Sequence, residues 1–424
     1  MNRDFVLLWQ GQLVSQLGNQ VYAIALAFWV MEATNSASLI GLLMGLVALP
    51  ALVFGPFGGT FADRHSRRTI IIVADIANGL LVLALGVAFL VRPEQTVFLL
   101  VATTLVTLAA GVAQAFFRPA ITAAIADLVP GARLGAANAW VQGAGALVLI
   151  LGQALGGVLY AALGVGLLFL LNGSTFLFSA ASESFMRLPD PRTSPPDRSQ
   201  HVVRTYLRET REGFDYLWSQ KGLRQLVLAF SVMAFAGGPI AVLFPFYVKD
   251  SLGKGVEFYG FLIATAGAGA VLGYLIAGRV RLTGQSAMWL VVCPLLGVCV
   301  LVALAGQITA PTPAFITFYV LGALAAMVQV FIRTLVQGTT PSRVRGRTVA
   351  LVNTISSGLV PLGMALGGFL ADLTGKNVPL IYSLAGVASA LTVVGVASRP
   401  EFRAFLADLP SGFDLEVDSA GGEN

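Results

Sequence analysis

Charge is what this chain has least of. Of its 424 residues, 26 are Lys or Arg and 21 are Asp or Glu, 11% together, against about 25% in an ordinary globular domain. Hydrophobic residues make up 56%. So few charges cannot cover a soluble protein of this size, which excludes an ordinary cytosolic enzyme, and the apolar content excludes a disordered chain. Cysteine is almost missing. Cys293 and Cys299 stand six apart in one apolar run, face different directions on a helix and are expected to be packing residues, so a disulfide scaffold is excluded. The two histidines, His65 and His201, fall in polar breaks and cannot form a metal site alone. No Gly-x4-Gly-Lys-[Ser/Thr] stretch is present, which argues against nucleotide-driven work. The glycine run from Gly267 to Gly273 follows no strand and is expected to pack helices. No His-Glu-x-x-His pair and no Gly-x-Ser-x-Gly elbow appears. Neither catalysis nor a cofactor is expected.

What is abundant is apolar sequence in lengths suited to a bilayer. A hydrocarbon core of about 30 Å takes about 20 helical residues. Twelve runs of that order occur, near 5–32, 37–60, 69–91, 96–117, 134–160, 163–186, 223–248, 256–278, 285–306, 313–335, 348–372 and 377–398. An all-α membrane protein with twelve transmembrane helices follows. The polar breaks are short except 187–222, which holds Pro189, Pro191, Pro195 and Pro196 and many charges. The expected organisation is a six-helix bundle over 1–186, a linker over 187–222, a second six-helix bundle over 223–398 and a cytoplasmic tail over 399–424. Within the linker, 201–218 carries Val203, Tyr206, Leu207, Phe214, Leu217 and Trp218 on one side of a helix. Arg204, Arg208, Arg211, Glu212 and Asp215 fall on the other. Such a helix lies on the membrane surface or serves as a solvated connector.

The first span follows Met1-Asn2-Arg3-Asp4 directly and is too long for a signal peptide, so it is expected to be retained. With the N-terminus placed inside, 22 cations fall on the inner side, and Arg92, Lys249, Lys254 and Lys376 make the 4 on the outer side. That split predicts cytoplasmic termini. The net charge of +5 therefore reports orientation in a membrane and not a nucleic-acid partner.

The chain also repeats itself. Phe117-Arg118 precedes Asn138 by the interval that separates Ile332-Arg333 from Asn353, at an offset of 215 residues. Gly152-Gln153-Ala154-Leu155-Gly156-Gly157 matches Gly363-Met364-Ala365-Leu366-Gly367-Gly368 at an offset of 211. Two six-span halves of one orientation are parallel repeats about an axis along the membrane normal. Transporters that rock one half against the other around a midplane site are built this way.

The break after the second span reads Gly59-Thr60-Phe61-Ala62-Asp63-Arg64-His65-Ser66-Arg67-Arg68. A small residue here lets helices approach closely, Asp63 can accept from a helix N-terminus or from a cation such as Arg118, and the basic pair can anchor to anionic headgroups. This loop resembles the cytoplasmic signature of the major facilitator superfamily, with Ser66 in place of the usual second glycine. The resemblance implies the major facilitator fold and a latch that stabilises the outward-facing state, carried here by Gly59, Asp63, Arg64, Arg67 and Arg68. Gly145 with Gly152–Gly157 is similar to the glycine-rich antiporter motif of that family's exporters, with Gln153 where a proline is expected.

Further phrases are similar to a macrolide-efflux and enterobactin-exporter-like branch. They are Leu8-Trp9-Gln10-Gly11-Gln12, Ser15-Gln16-Leu17-Gly18, Phe116-Phe117-Arg118-Pro119-Ala120, Asp127-Leu128-Val129-Pro130 and Ala136-Ala137-Asn138-Ala139.

Charges near a bilayer are costly and need individual readings. Asp75 lies about two turns into the third span and serves either the latch, with Arg118, or proton transfer. Arg118 and Arg333 occupy equivalent inner ends of spans four and ten, where gate or latch pairing is expected. Glu183 is expected to pair with an arginine, and any proton coupling is expected to use Asp75, Glu183 or a peripheral site, or to rely on substrate charge. No carboxylate falls at the middle of a span, and Asn19 stands where the branch resemblance implies an acid.

Uncharged polar residues do reach the midplane. Gln12, Gln16, Asn19 and Gln20 fall within about 100° on a first-span helix, and Asn138, Gln142 and Gln153 share a face of the fifth. Gln114, Gln329 and Asn353 lie at similar depth. These side chains either line a cavity or hydrogen-bond between helices. Phe230, Phe235, Phe244 and Phe246 are expected to supply aromatic walls.

The resulting expectation is a secondary active exporter of small amphipathic molecules such as drugs, siderophores or lipids. It would work by alternating access, with protons as a candidate coupling ion. It would sit in a bacterial inner membrane as a monomer among lipids, with no nucleic-acid partner. The alternative is the same fold without active coupling, a passive translocator or a sensor.

Overall fold

The structure is a computed structural model that describes residues 2–130, 133–188, 202–280 and 284–409. The proline-rich part of the linker, including His201, and the tail beyond 409 lie outside the described residues. Fourteen α-helices and no strand occur among the described residues.

The first half runs through α1 (Arg3–Thr34), α2 (Ala37–Leu46), α3 (Ala48–Arg64), α4 (Arg67–Val91), α5 (Thr96–Leu128) and α6 (Leu134–Ser184). The linker contains α7 (Val202–Ser219). The second half runs through α8 (Lys221–Phe246), α9 (Val256–Ala277), α10 (Gly284–Ala305), α11 (Pro311–Thr339), α12 (Ser342–Leu373), α13 (Val378–Ala397) and α14 (Pro400–Ala407).

Local chemistry sets the boundaries. Ser36, Ser66 and Asn377 cap α2, α4 and α13 by accepting from the backbone N–H three residues on. The predicted second span is two helices, because Pro50 has no N–H for the Leu46 carbonyl and the ladder breaks at Val47. Conversely, predicted spans five and six form the 51-residue α6. At 1.5 Å per residue that is about 75 Å, far more than a bilayer core. The break falls at Gly164, whose φ of 73° and ψ of 171° suit glycine alone. Eleven described helices are long and apolar enough to cross a membrane. With α6 divided at Gly164 the chain has twelve crossings. Helices α5 and α12 reach beyond the predicted 117 and 348, to Leu128 and back to Ser342. The added turns carry charged residues such as Arg118, Asp127, Arg343 and Arg345, where hydropathy no longer marks a span.

Contacts divide the chain into two compact units, Met1–Tyr206 with Phe244–Ala264, and Leu207–Leu243 with Thr265–Asn424. In the first, α6 packs on α1 and α4, and α3 on α5. In the second, α10 packs on α11, α13 and α14. Phe402 and Leu406 of α14 are buried in that core. Cys299 is buried in the same core, whereas Cys293 is exposed, a correction to its expected packing role that follows from their different directions on α10.

Helix α7 docks on the second unit: Glu212 pairs with Arg347, the Tyr216 hydroxyl donates to the Thr339 carbonyl at 3.1 Å, and Leu217 is buried. Phe214 and Trp218 remain exposed and stack on each other, 5.2 Å between centroids. The side chains of Val203, Tyr206 and Leu207 lie outside the described residues.

The duplication is visible in contacts as well as letters. A methyl added at Gly152 or Gly156 would press on Gln20 or Ile24 of α1, and one at Gly363 or Gly367 would press on Phe235 or Pro239 of α8. The glycines differ by 211 residues and their partners by 215. Gly269 and Gly273 likewise abut Tyr319 and Ala323 of α11, so the glycine run of span eight does pack helices.

Candidate functional site

The first unit holds a buried polar seam between α1, α4 and α6. Its α6 contribution is Asn172, Thr175, Ser179, Ser182 and Glu183, spaced three and four apart so that they share one face. Glu183 is fully buried, and its Oε1 accepts from Gln12 Nε2 at 2.9 Å and from the Ser179 hydroxyl at 3.3 Å. Asp75, 1% exposed on α4, lies beside Ser179 and Glu183, within reach of both side chains. Asp75 Oδ2, Glu183 Oε2 and Asn78 Oδ1 have no hydrogen-bond partner.

Neither acid meets a cation among the described residues. The expected Asp75–Arg118 and Glu183–arginine pairs are therefore corrected. Asp75 points into the α4–α6 seam, whereas Arg118 is exposed on α5. Two buried carboxyls side by side, with acceptor atoms left over, form a site able to hold a proton.

The polar residues of α1 resolve unevenly. Asn19 Oδ1 accepts from Asn172 at 3.4 Å and Gln20 Oε1 from Gln153 at 2.8 Å, so both serve helix–helix contacts instead of an open cavity. Gln16 is exposed and lines a pocket of only 40 Å³ with Trp9, Gln12 and Val141. Gln114 is half-buried, Asn138 and Gln142 are exposed, and none of the three has a hydrogen-bond partner among the described residues.

At the start of α4, Arg67 pairs with Asp127 and Arg68 donates to the Ser184 carbonyl, so the basic pair ties α4 to α5 and α6. Arg64 is exposed, and the Asp63 side chain lies outside the described residues. Gly59 faces open space, which corrects its expected packing role. The close approach is at Gly58, where a methyl would collide with the Ala115 carbonyl.

The second unit holds a cavity of 630 Å³, within the range of sites for drug-sized molecules. Its apolar walls are rich in valine, with Phe230, Met233 and Ile332. Its polar groups are Gln329, Arg333, Gln337, Asn353 and Ser356. Gln329, Arg333 and Asn353 all line this cavity. Phe235 does not line it. Phe230, Met233 and Ala234 face the cavity at helical spacing, and Phe235 follows about 100° further round α8, with its backbone carbonyl against Gly363 of α12. Phe244 and Phe246 are core residues.

Ser179, Ser182, Asn172, Asn78, Gln337 and Ser356 were not singled out from sequence. The serine and asparagine stripe of α6 is a readable signal, because polar side chains at three- and four-residue spacing in a lipid-embedded helix need a common partner.

Known proteins agree with this architecture. The family model described as Major Facilitator Superfamily matches residues 8–361. Macrolide efflux protein A of Streptococcus pyogenes is 26% identical over 379 residues, covering 88% of this chain and 90% of that protein. The multidrug efflux pump Tap of Mycolicibacterium fortuitum is 27% identical over 374 residues, covering 86% and 88%. Among solved structures, a bacterial homologue of the iron transporter ferroportin in its inward-facing state superposes with a TM-score of 0.70 at 17% identity, covering 94% of this chain and 99% of that one. A D-xylose–proton symporter superposes at 0.69 and 15%, covering 92% and 96%.

Proposed function

Because this chain belongs to the major facilitator superfamily, we propose that it is a secondary active transporter that exports amphipathic small molecules by alternating access, driven by protons. The observation that carries the reading is the buried Asp75–Glu183 pair without a cation beside it. A carboxylate only accepts hydrogen bonds, and two neighbouring ionised carboxyls repel in a dry seam. One proton held between them removes the repulsion. Wetting of the seam during the cycle favours its release. A group whose protonation depends on which side water reaches it from is what couples a gradient to a conformational change.

The mainly apolar cavity with a few convergent polar groups supports an amphipathic substrate, and the efflux proteins among the relatives support export. Gln114, Asn138 and Gln142, without a hydrogen-bond partner among the described residues, are the first unit's candidates for substrate contact. Gly59, Asp63 and Arg64, with Arg67, Arg68 and Arg118, form the inner latch. A bacterial inner membrane, cytoplasmic termini and a monomer complete the reading. The lopsided cation count supports the orientation.

The test is uptake of two radiolabelled amphiphiles, one anionic and one a cationic macrolide, into inverted membrane vesicles, with and without a protonophore and against vesicles that lack the protein. Accumulation above equilibrium that the protonophore abolishes is expected. Equilibration indifferent to the gradient would point to passive translocation and end the active reading. In Glu183→Gln, downhill exchange should persist while uphill accumulation is lost.

A further inference from the structure

We propose that the second unit's cavity selects molecules with an anionic head, and that Arg333 is the receptor for it. The inference rests on the transporter reading and deepens it to a substrate class. Arg333 is the sole charge among the residues lining the cavity. No hydrogen bond or ion pair occupies its guanidinium among the described residues, and its side chain is exposed to the cavity.

The neighbouring groups add donors. Gln329 and Gln337, one turn to either side on α11, share its face. The Tyr274 hydroxyl donates to Gln329 Oε1 at 2.8 Å, which leaves the Gln329 amide N–H groups for a ligand. Asn353 faces them from α12. A planar guanidinium with amide donors beside it matches the oxygens of a carboxylate, sulfonate or phosphate, which can be held by two parallel hydrogen bonds. The valine-rich remainder accepts the apolar body. A cationic amphiphile finds no counter-charge in this cavity. The head could belong to a free solute or to an anionic lipid, and the chemistry is the same.

The probes are a matched pair. 8-Anilinonaphthalene-1-sulfonate carries the anion, and N-phenyl-1-naphthylamine has the same rings without it. Binding is measured by fluorescence on the purified full-length protein in phosphatidylcholine vesicles, with empty vesicles subtracted. Arg333→Gln should weaken sulfonate binding about tenfold and change the neutral probe less than twofold, as loss of a charge-assisted contact predicts. Arg333→Lys should restore part of the difference, since the charge returns and the fork does not. Unchanged thermal unfolding of the lysine variant excludes misfolding as the cause.

Equal loss of both probes, or none of either, overturns the proposal. Competition by dihexanoyl phosphatidylglycerol at the sulfonate's own affinity assigns the head to a lipid. Its absence assigns it to a solute. Uphill uptake of either amphiphile, anionic or cationic, with no Arg333 effect on sulfonate binding sinks this inference alone. Arg333-dependent binding without gradient-driven uptake of either sinks the transport reading alone.

Discussion

The two units repeat one scaffold and differ in what they bury. In the first, the helices at the third and sixth positions, α4 and the second part of α6, bring Asp75 and Glu183 into the core. In the second, the corresponding helices α10 and α13 contain no charged residue. Arg118 is exposed on α5 with Gln114 one turn away, and their counterparts Arg333 and Gln329 line a 630 Å³ cavity. Gln20 bonds to α6, while its counterpart Phe235 packs its carbonyl against Gly363. Duplication preserved the close helix contacts, where each glycine leaves room for the neighbouring helix. The polar chemistry diverged, because a buried acid and a ligand cavity make opposite demands on solvent access. On the proposed function, energy coupling falls to the first unit and recognition of the anionic head to the second, with Gln114, Asn138 and Gln142 adding substrate contacts from the first.

The largest test of that division is Asp75→Asn. It should lower uphill accumulation tenfold or more and flatten its dependence on external pH, while sulfonate binding in the second unit stays within twofold. A comparable loss of sulfonate binding would merge the two roles. Next in size are the paired glycines. Overpacking costs about 1–3 kcal/mol, and Gly367→Ala should lie at the upper end because the Pro239 ring cannot move aside. Gly156→Ala should cost less, since the flexible tip of Ile24 can yield. Thermal unfolding in detergent measures both, and the reverse order would deny the contact symmetry.

Smaller still is the contrast between Asn19 and Gln142. Asn19→Ala should lower stability by about 1 kcal/mol, through its lost bond to Asn172, and leave the substrate profile intact. Gln142→Ala should shift the profile and leave stability intact. Smallest is the Arg67–Asp127 pair, partly exposed and expected to hold under about 1 kcal/mol. Arg67→Ala should slow transport a few-fold, and the charge-exchanged double variant should recover it, as flux assays at matched abundance would reveal.

Much of the fold was legible in the letters. Run lengths fixed the number of crossings, the cation bias implied the orientation and the Gly152 and Gly363 phrases exposed the duplication. The site was less legible. Asp75 and Glu183 are 108 residues apart, and nothing local says that α4 and α6 place them side by side. Glu183 beside the basic linker invited an arginine partner, yet Arg68 donates to a backbone carbonyl instead. Asn19 and Gln20 carried the pattern of a cavity lining, and only their distances to Asn172 and Gln153 show that helix contacts hold them. Phe235 differs from Phe230 by a rotation on one helix, which composition cannot see.

The sequence alone determined that this chain is a duplicated set of membrane helices, because hydrophobic length and charge bias act through the solvent, and each run meets the bilayer separately. Which polar groups stay open to ligand, and which are bonded away, was decided only by tertiary structure. That outcome depends on the rotation and approach of helices far apart in the chain, and a hydrogen bond forms or fails within an ångström.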